Sequence, residues 1–440
     1  MTSIQVEELS AVKKKITFEV PEERYLEVVN LEYQDLRKNA EVKGFRKGKV
    51  PLSILKGYFR GKVESEAARK IIEETLEPTL KEENIKPVSI IRVDPQTVES
   101  GKPFTYTAEV EVPPDIQITG YNGMKLKKVL RIVTDQDVDE RIEELRERSA
   151  RLSPIPETRG AQAGDLVLLD ISATSEGKEV RELTVTEYHL ELGRDFYLPD
   201  FDSRLYGMKE GEVREFTVEF PEDFVRASLR GRTVDFEVAM DDAKERILSE
   251  LDDDFAKDLG KFETLEALRE AIRKDLANLY EDQAVNGMRD QIIDQLIEQH
   301  SFEVPESLVE MQIDNIVDAS LMRFVSAGLD RERLRMAAGP YRDKARPDAE
   351  RAVRSGLILG AIGNQEGLEI TAEEMQEGIS KRAGMLDMSP DNYKEGLEAG
   401  GRLDAFVISL LEEKVFKFIE ANAEVTEEEA TAESVTDAAE

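Results

Sequence analysis

The sequence predicts a multidomain α+β protein, and three observations carry that reading. Texture changes twice along the 440 residues: strands mixed with long amphipathic helices up to 113, short strands cut by glycine and proline turns over 151–246, and helical periodicity over 247–420. At 40% hydrophobic and 35% charged, the chain can bury several cores of ordinary domain size. Charge is also divided unevenly: residues 1–113 hold 19 Lys+Arg against 20 Asp+Glu, net −1, so the net −34 of the whole leaves −33 for residues 114–440. The expected order is an N-terminal α/β domain (1–113), a helical connector (114–150), an antiparallel sheet domain (151–246), an all-α domain (247–420) and an acidic, disordered tail (421–440).

The first element is SIQVEELSAVKKKITFEVP, whose alternation around Val12, Ile16, Phe18 and Val20 predicts one or two half-buried strands. After Pro21, apolar Tyr25, Leu26, Val29, Tyr33 and Leu36 recur at helical spacing behind the acids Glu22 and Glu23, which suit a helix start. A second helix begins near Pro51 with a stripe through Ala68, Ile71, Ile72, Leu76 and Leu80. Strands follow at 88–94 and 104–112 and stop at Pro113 and Pro114. Residues 134–150 read as a charged helix. DLVLLDIS, YHLELG, REFTVEF and TVDFEVAM then supply strands of six to eight residues.

Beyond 247, Thr264 can cap a long helix with the stripe Leu265, Leu268, Ile272, Leu276, Leu279, Met288, Ile292 and Leu296. Another starts at Pro305 with Leu308, Met311, Ile316 and Leu321 expected inward. The last 21 residues carry eight acids and no base, a composition that does not bury enough apolar surface to order itself.

Composition excludes several chemistries. The chain has no cysteine, which removes disulfides, thiolate nucleophiles and cysteine-ligated metals. His189 and His300 are the only histidines and stand far apart, so neither a histidine metal site nor a His relay is expected. No run of eighteen apolar residues and no secretory leader is seen, so a cytoplasmic protein without a membrane partner is expected. No metal or other cofactor is expected.

One stretch contradicts the acidic average. Residues 37–62 hold nine cations against one acid, net +8, centred on KGFRKGKVP at 43–51. Lys43, Arg46, Lys47 and Lys49 offer contacts to phosphates, Gly44 and Gly48 let backbone approach a surface, and Phe45 needs a cover. Nucleic acid or an RNA–protein seam would supply both. On charge alone the run reads as a solvated face; its place at a glycine-hinged tip between two helices of an acidic chain favours a site. A phosphate-binding loop of the GxxxxGK[ST] type is excluded, since Val50 follows Lys49.

Gly44, Phe45, Arg46, Gly48, Lys49 and Pro51 resemble the GFRxGKxP signature of the bacterial trigger factor family, ribosome-associated chaperones. FPEDF at 220–224 with a downstream LRG, and FEVPESLV at 302–309, extend the resemblance along the chain. It implies an N-terminal ribosome-binding domain, a central FKBP-like isomerase domain and a C-terminal all-α domain with two arms. Lys43–Lys49 and Pro51 would then dock beside the exit tunnel on a large-subunit protein and rRNA. Unfolded nascent polypeptides are the implied clients, and the free protein is expected to form a homodimer.

In the middle domain, LELG at 190–193 and YLPDF at 197–201 are similar to the strand, turn and floor of FKBP-type domains. The implied prolyl pocket comprises Tyr188, Leu198, Phe201, Phe224 and Phe236. Singly, each also reads as ordinary sheet-domain core. Three positions depart from the family pattern: Ile171 and Val180 replace aromatic walls, and Asp200 replaces the floor glycine. Thinner walls and an added charge point to a weak peptidyl-prolyl cis-trans isomerase.

Seven of the eleven methionines fall beyond residue 287, and methionine adapts to irregular apolar partners. Met322, Phe324, Met336, Leu386 and Met388 are the expected client-facing residues. With no nucleotide motif, the sequence points to an ATP-independent holding chaperone. Two alternatives stay open at this stage: a true isomerase whose outer domains deliver substrate, and an RNA-binding scaffold with no client.

Overall fold

In β2 (Lys13–Val20), Ile16, Phe18 and Val20 are buried at alternate positions while Glu19 is exposed, the period expected of a half-buried strand. β1 (Ser3–Glu8), β2, β3 (Ser89–Pro95) and β4 (Phe104–Glu111) form an antiparallel sheet in the order β1-β2-β4-β3. α1 (Glu22–Asn39) and α2 (Leu52–Glu82) share its core through Tyr25, Val29, Tyr33, Leu55, Val63 and Ile71. Phe18 stacks on Tyr106 at 4.5 Å, and the Tyr106 hydroxyl meets that of Thr75 at 2.7 Å. Burial pushes the Tyr106 phenol up to about 12, although the Thr75 bond opposes this.

The computed structural model describes residues 3–43, 45–46, 48–96, 101–156, 158–193, 199–222, 224, 226, 228–260, 262–326 and 339–429, apart from the side chains at 199, 200 and 323–326. Two compact units emerge: one joins 1–128 to 285–428, and the other is built on 129–284.

The first unit completes itself with helices from the end of the chain. The stretch expected as a bare connector splits: Ile118, Tyr121, Met124 and Leu126 are buried against Ile292, Leu296, Ile358, Ile362, Val415 and Ile419. These come from the second half of α6 (Leu265–Gln299), from α8 (Gly339–Gln365) and from α11 (Leu403–Ala421). His300 serves this packing, its Nε2 accepting from the Thr119 N–H at 3.1 Å. β5 (Lys125–Leu130) pairs with β12 (Glu424–Glu429), so the acidic tail is ordered at least to Glu429. Lys127 of β5 meets Glu428 of β12 at 3.0 Å.

α7 (Glu306–Ser326) packs on α8 through Val309, Ile313, Val317, Ala345 and Ala349. Met311, expected inward, is 55% exposed because the buried stripe steps by four through 309, 313 and 317. Leu279 on α6 is displaced for the same reason: the stripe runs 276, 280, 284, 288, and Tyr280 takes the inward place. α9 (Ala372–Met385), α10 (Pro390–Ala399) and α11 form a smaller cluster around Ile379, Leu397 and Phe406.

In the second unit, β6 (Arg151–Pro154), β7 (Leu166–Ser175), β8 (Lys178–Glu179), β9 (Val185–Glu191), β10 (Val213–Glu219) and β11 (Thr233–Ile247) form one antiparallel sheet. α4 (Pro199–Leu205) packs on it. Arg159 braces the entry by donating to Asp165 at 2.6 and 3.0 Å and to Glu245 at 2.7 Å. α3 (Asp135–Arg148) and α5 (Asp253–Asp258) pack with the first half of α6 around Val138, Ile142, Phe255 and Leu268.

The start of α3 is held by a charged network. Asp137 accepts from the Thr134 N–H and hydroxyl, from the Tyr280 hydroxyl and from Arg131, whose guanidinium lies 4.3 Å from the Tyr280 ring centroid. Burial alone would push this carboxyl up, but the bonds from Thr134, Tyr280 and Arg131 together hold it at about 2.

Candidate functional site

The α1–α2 connection is pinned at both ends by apolar side chains. Ala40 and Val50 are buried in the N-terminal core, and Val42 packs against it. The chain between them turns twice, with the Phe45 N–H donating to the Val42 carbonyl at 3.0 Å and the Lys49 N–H to the Arg46 carbonyl at 2.9 Å. Gly48 has φ +79°, a backbone state that favours glycine. Pro51, with φ −61°, then leads into α2.

This geometry leaves Phe45 42% exposed, with Lys43, Arg46, Lys49 and Pro51 exposed around it. Among the described residues, Lys43, Arg46 and Lys49 enter no ion pair. Among the described residues the exposed Arg37 and Lys62 share that state, whereas three other cations of the window are engaged. Arg60 is engaged by Glu64 at 2.8 Å, Lys38 by Asp35 at 2.7 Å, and Lys56 lies over the Tyr33 ring. Gly44 and Lys47 lie outside the described residues.

Two apolar residues beyond the loop add to this surface. Leu52 is 40% exposed and Tyr58 75% exposed on the first turns of α2. The sequence reading did not pick Tyr58, which stands off the buried stripe of Leu55, Val63, Ala67 and Ile71. That displacement was a readable signal.

The second candidate site is the aromatic cluster of the sheet domain. Phe201 on α4 meets Phe216 on β10 and Phe236 on β11, each at 5.4 Å between centroids, and Phe216 lies 5.7 Å from Phe236. Sheet register puts Phe216 directly opposite Phe236. Asp202 fixes α4 by accepting from the Gly193 N–H at 2.7 Å.

Phe201 and Phe236 are buried, as are Ile171 and Val180, all in one core. Tyr188, Phe216 and Phe224 pack on its edge and keep partial exposure. Phe224 turns to Phe220, at 4.9 Å, instead of joining the trio. Phe216 was missed because REFTVEF was read only as a strand; pairing it with TVDFEVAM would have exposed it. Leu198 lies outside the described residues.

The residues expected to face clients separate into two patches. Met322, 63% exposed, is near the end of α7, whereas Leu386 and Met388, 59% and 46% exposed, follow α9, next to Met385 at 70%. α7 and α9 pack in different helix clusters. The Phe324 side chain and Met336 lie outside the described residues.

Comparison with known proteins bears on the family and its domains. The family model "Bacterial trigger factor protein (TF)" matches residues 2–145, "Bacterial trigger factor protein (TF) C-terminus" matches 264–421, and "FKBP-type peptidyl-prolyl cis-trans isomerase" matches 157–241. A trigger factor from Geotalea daltonii is 36% identical over 97% of this chain and 98% of its own length. One from Syntrophotalea carbinolica is 34% identical over 96% of each. A solved structure described under "Promiscuous Substrate Recognition in Folding and Assembly Activities of the Trigger Factor Chaperone" covers 94% of this chain and 98% of its own at 22% identity, with a TM-score of 0.47. With relatives above 30% identity along almost its whole length, the chain belongs to the trigger factor family, ribosome-associated chaperones that carry an FKBP-type peptidyl-prolyl isomerase domain.

Proposed function

We propose that this chain attaches to the ribosome beside the nascent-chain exit through the tip at 43–51, and holds unfolded segments open on its helical arms without ATP. One observation carries the docking role: three exposed cations with no ion pair among the described residues flank a half-exposed phenylalanine in a chain of net charge −34. Phosphates of rRNA would take Lys43, Arg46 and Lys49, and an apolar crevice of a large-subunit protein would take Phe45. The acidic remainder is repelled by RNA, so attachment is confined to the tip. A homodimer of the free protein and a cytoplasmic location go with this reading.

For clients, the exposed Met322 and the Met385, Leu386 and Met388 patch supply adaptable apolar contacts. The sheet domain contributes weak isomerase activity. Prolyl isomerisation has a barrier of about 18–20 kcal/mol, lowered by desolvating and twisting the imide, and needs no nucleophile. Phe201 and Phe236 are taken up by the domain core, which leaves the edge aromatics Tyr188, Phe216 and Phe224 to meet a proline.

The docking test is co-sedimentation with bacterial ribosomes, comparing the wild type with Phe45→Ala/Arg46→Ala/Lys49→Ala. The expected result is binding at least about 10-fold weaker, since contacts of this kind are commonly worth more than 1 kcal/mol. Undiminished co-sedimentation of the folded variant would overturn the assignment.

A further inference from the structure

Glu111 is the buried charged side chain of the first unit among the described residues, 2% exposed at the end of β4. Its backbone is fixed on both sides by the sheet, opposite Lys13 on β2 and Ser89 on β3. The carboxylate reaches away from the sheet to the start of α7. Oε1 accepts from the Glu306 N–H at 3.2 Å, and Oε2 from the Ser307 N–H at 2.9 Å. Lys13 Nζ stands 3.8 Å from Oε1.

These two N–H groups belong to the first turn of α7, where a helix has no internal acceptor for them. The residue before the helix is Pro305, whose side chain has no oxygen to cap it. A carboxylate 195 residues away from Glu306 therefore does what a local Ser or Asp would do elsewhere, with favourable charge against the helix dipole. α7 passes this constraint to α8: Arg346 donates to Glu306 at 2.8 Å and also to Glu310, and Arg342 donates to Glu310 at 2.6 Å and also to Asp314.

We propose that Glu111 is a positioning residue, a latch that sets the α7–α8 pair against the N-terminal sheet, on which α1, α2 and the 43–51 tip between them are packed. Docking and client holding are then coupled through one buried carboxylate. Loss of the latch lets the sheet and the start of α7 shift against one another, while α8 stays anchored through Ile358 and Ile362 and the sheet keeps its own core of Ile16, Phe18, Tyr106 and Ile71.

The chain has no cysteine, so a pair of labels can be placed without background. Leu31→Cys on α1 and Ala319→Cys on α7, both exposed, take spin labels in the full-length protein, and the distance distribution is recorded with and without Glu111→Ala. The expected result is a distribution at least about twofold broader in the Glu111→Ala protein. Glu111→Gln, which keeps one acceptor oxygen but loses the charge, should fall between. If Glu111→Ala does not fold, Glu111→Gln decides alone. A distribution as narrow as the wild type's in the folded variant, or one already as broad in the wild type, overturns the latch. The readout needs no ribosome, so its failure is distinct from failure of the docking assignment.

Discussion

The tip at 43–51 and the aromatic cluster of the sheet domain each gather the residue types that recognition needs, but they differ in what those residues are already doing. At the tip, Lys43, Arg46 and Lys49 enter no ion pair among the described residues, and Phe45 is half exposed. In the cluster, Phe201 and Phe236 are 1% and 2% exposed and hold the core together. Only groups whose interactions are unspent in the free protein can contribute them fully to a partner. The comparison therefore sets the proposed docking surface apart from a fold-maintaining core.

The largest expected effect breaks the cluster. Phe201→Ala should destabilise the sheet domain by about 3–5 kcal/mol, read as a lower unfolding midpoint in urea, with ribosome co-sedimentation unchanged. A stability change below about 1 kcal/mol would mean that Phe201 is a pocket residue after all. Loss of docking in the triple tip variant comes next, with no change in the unfolding midpoint.

A smaller effect concerns Asp137. Its carboxyl is held at about 2, below the ordinary value, so its contribution is present above the unfolded pKa near 4 and is lost as pH falls towards 2. Asp137→Asn should lower stability by on the order of 1–2 kcal/mol at pH 7 and flatten the acid limb of the stability curve between about pH 4 and 2. An acid limb identical to the wild type's would show that the Thr134, Tyr280 and Arg131 bonds do not favour the charged form. The smallest effect sharpens the edge of the tip: Tyr58→Ala should weaken ribosome binding by about two- to fivefold, as a rim contact would. No change would confine the contact to the loop.

Local patterns carried much of this into the sequence. Alternation at Ile16, Phe18 and Val20, helical spacing at Tyr25, Val29 and Tyr33, and the glycine-punctuated loop all depend on neighbours in the chain, and each is found in the structure. What escaped depends on partners distant in sequence. β12 pairs with β5, with Lys127 meeting Glu428 across the pair, and Phe216 joins the aromatic cluster through its register with Phe236. The Glu111 bond to α7 was invisible for the same reason. Met311 and Leu279 were misplaced because an apolar residue one or two positions off the four-residue step looks like part of the stripe in sequence but lands on the outer face.

The most direct test of the tip assignment is the salt dependence of ribosome affinity for the wild type and for Lys43→Ala/Arg46→Ala/Lys49→Ala. If these three cations contact phosphates, the slope of log K against log salt should be shallower in the variant by about 2–3, at roughly 0.7–0.9 for each contact removed. Equal slopes for the two proteins would contradict the claim that the tip reaches the ribosome through its unpaired cations.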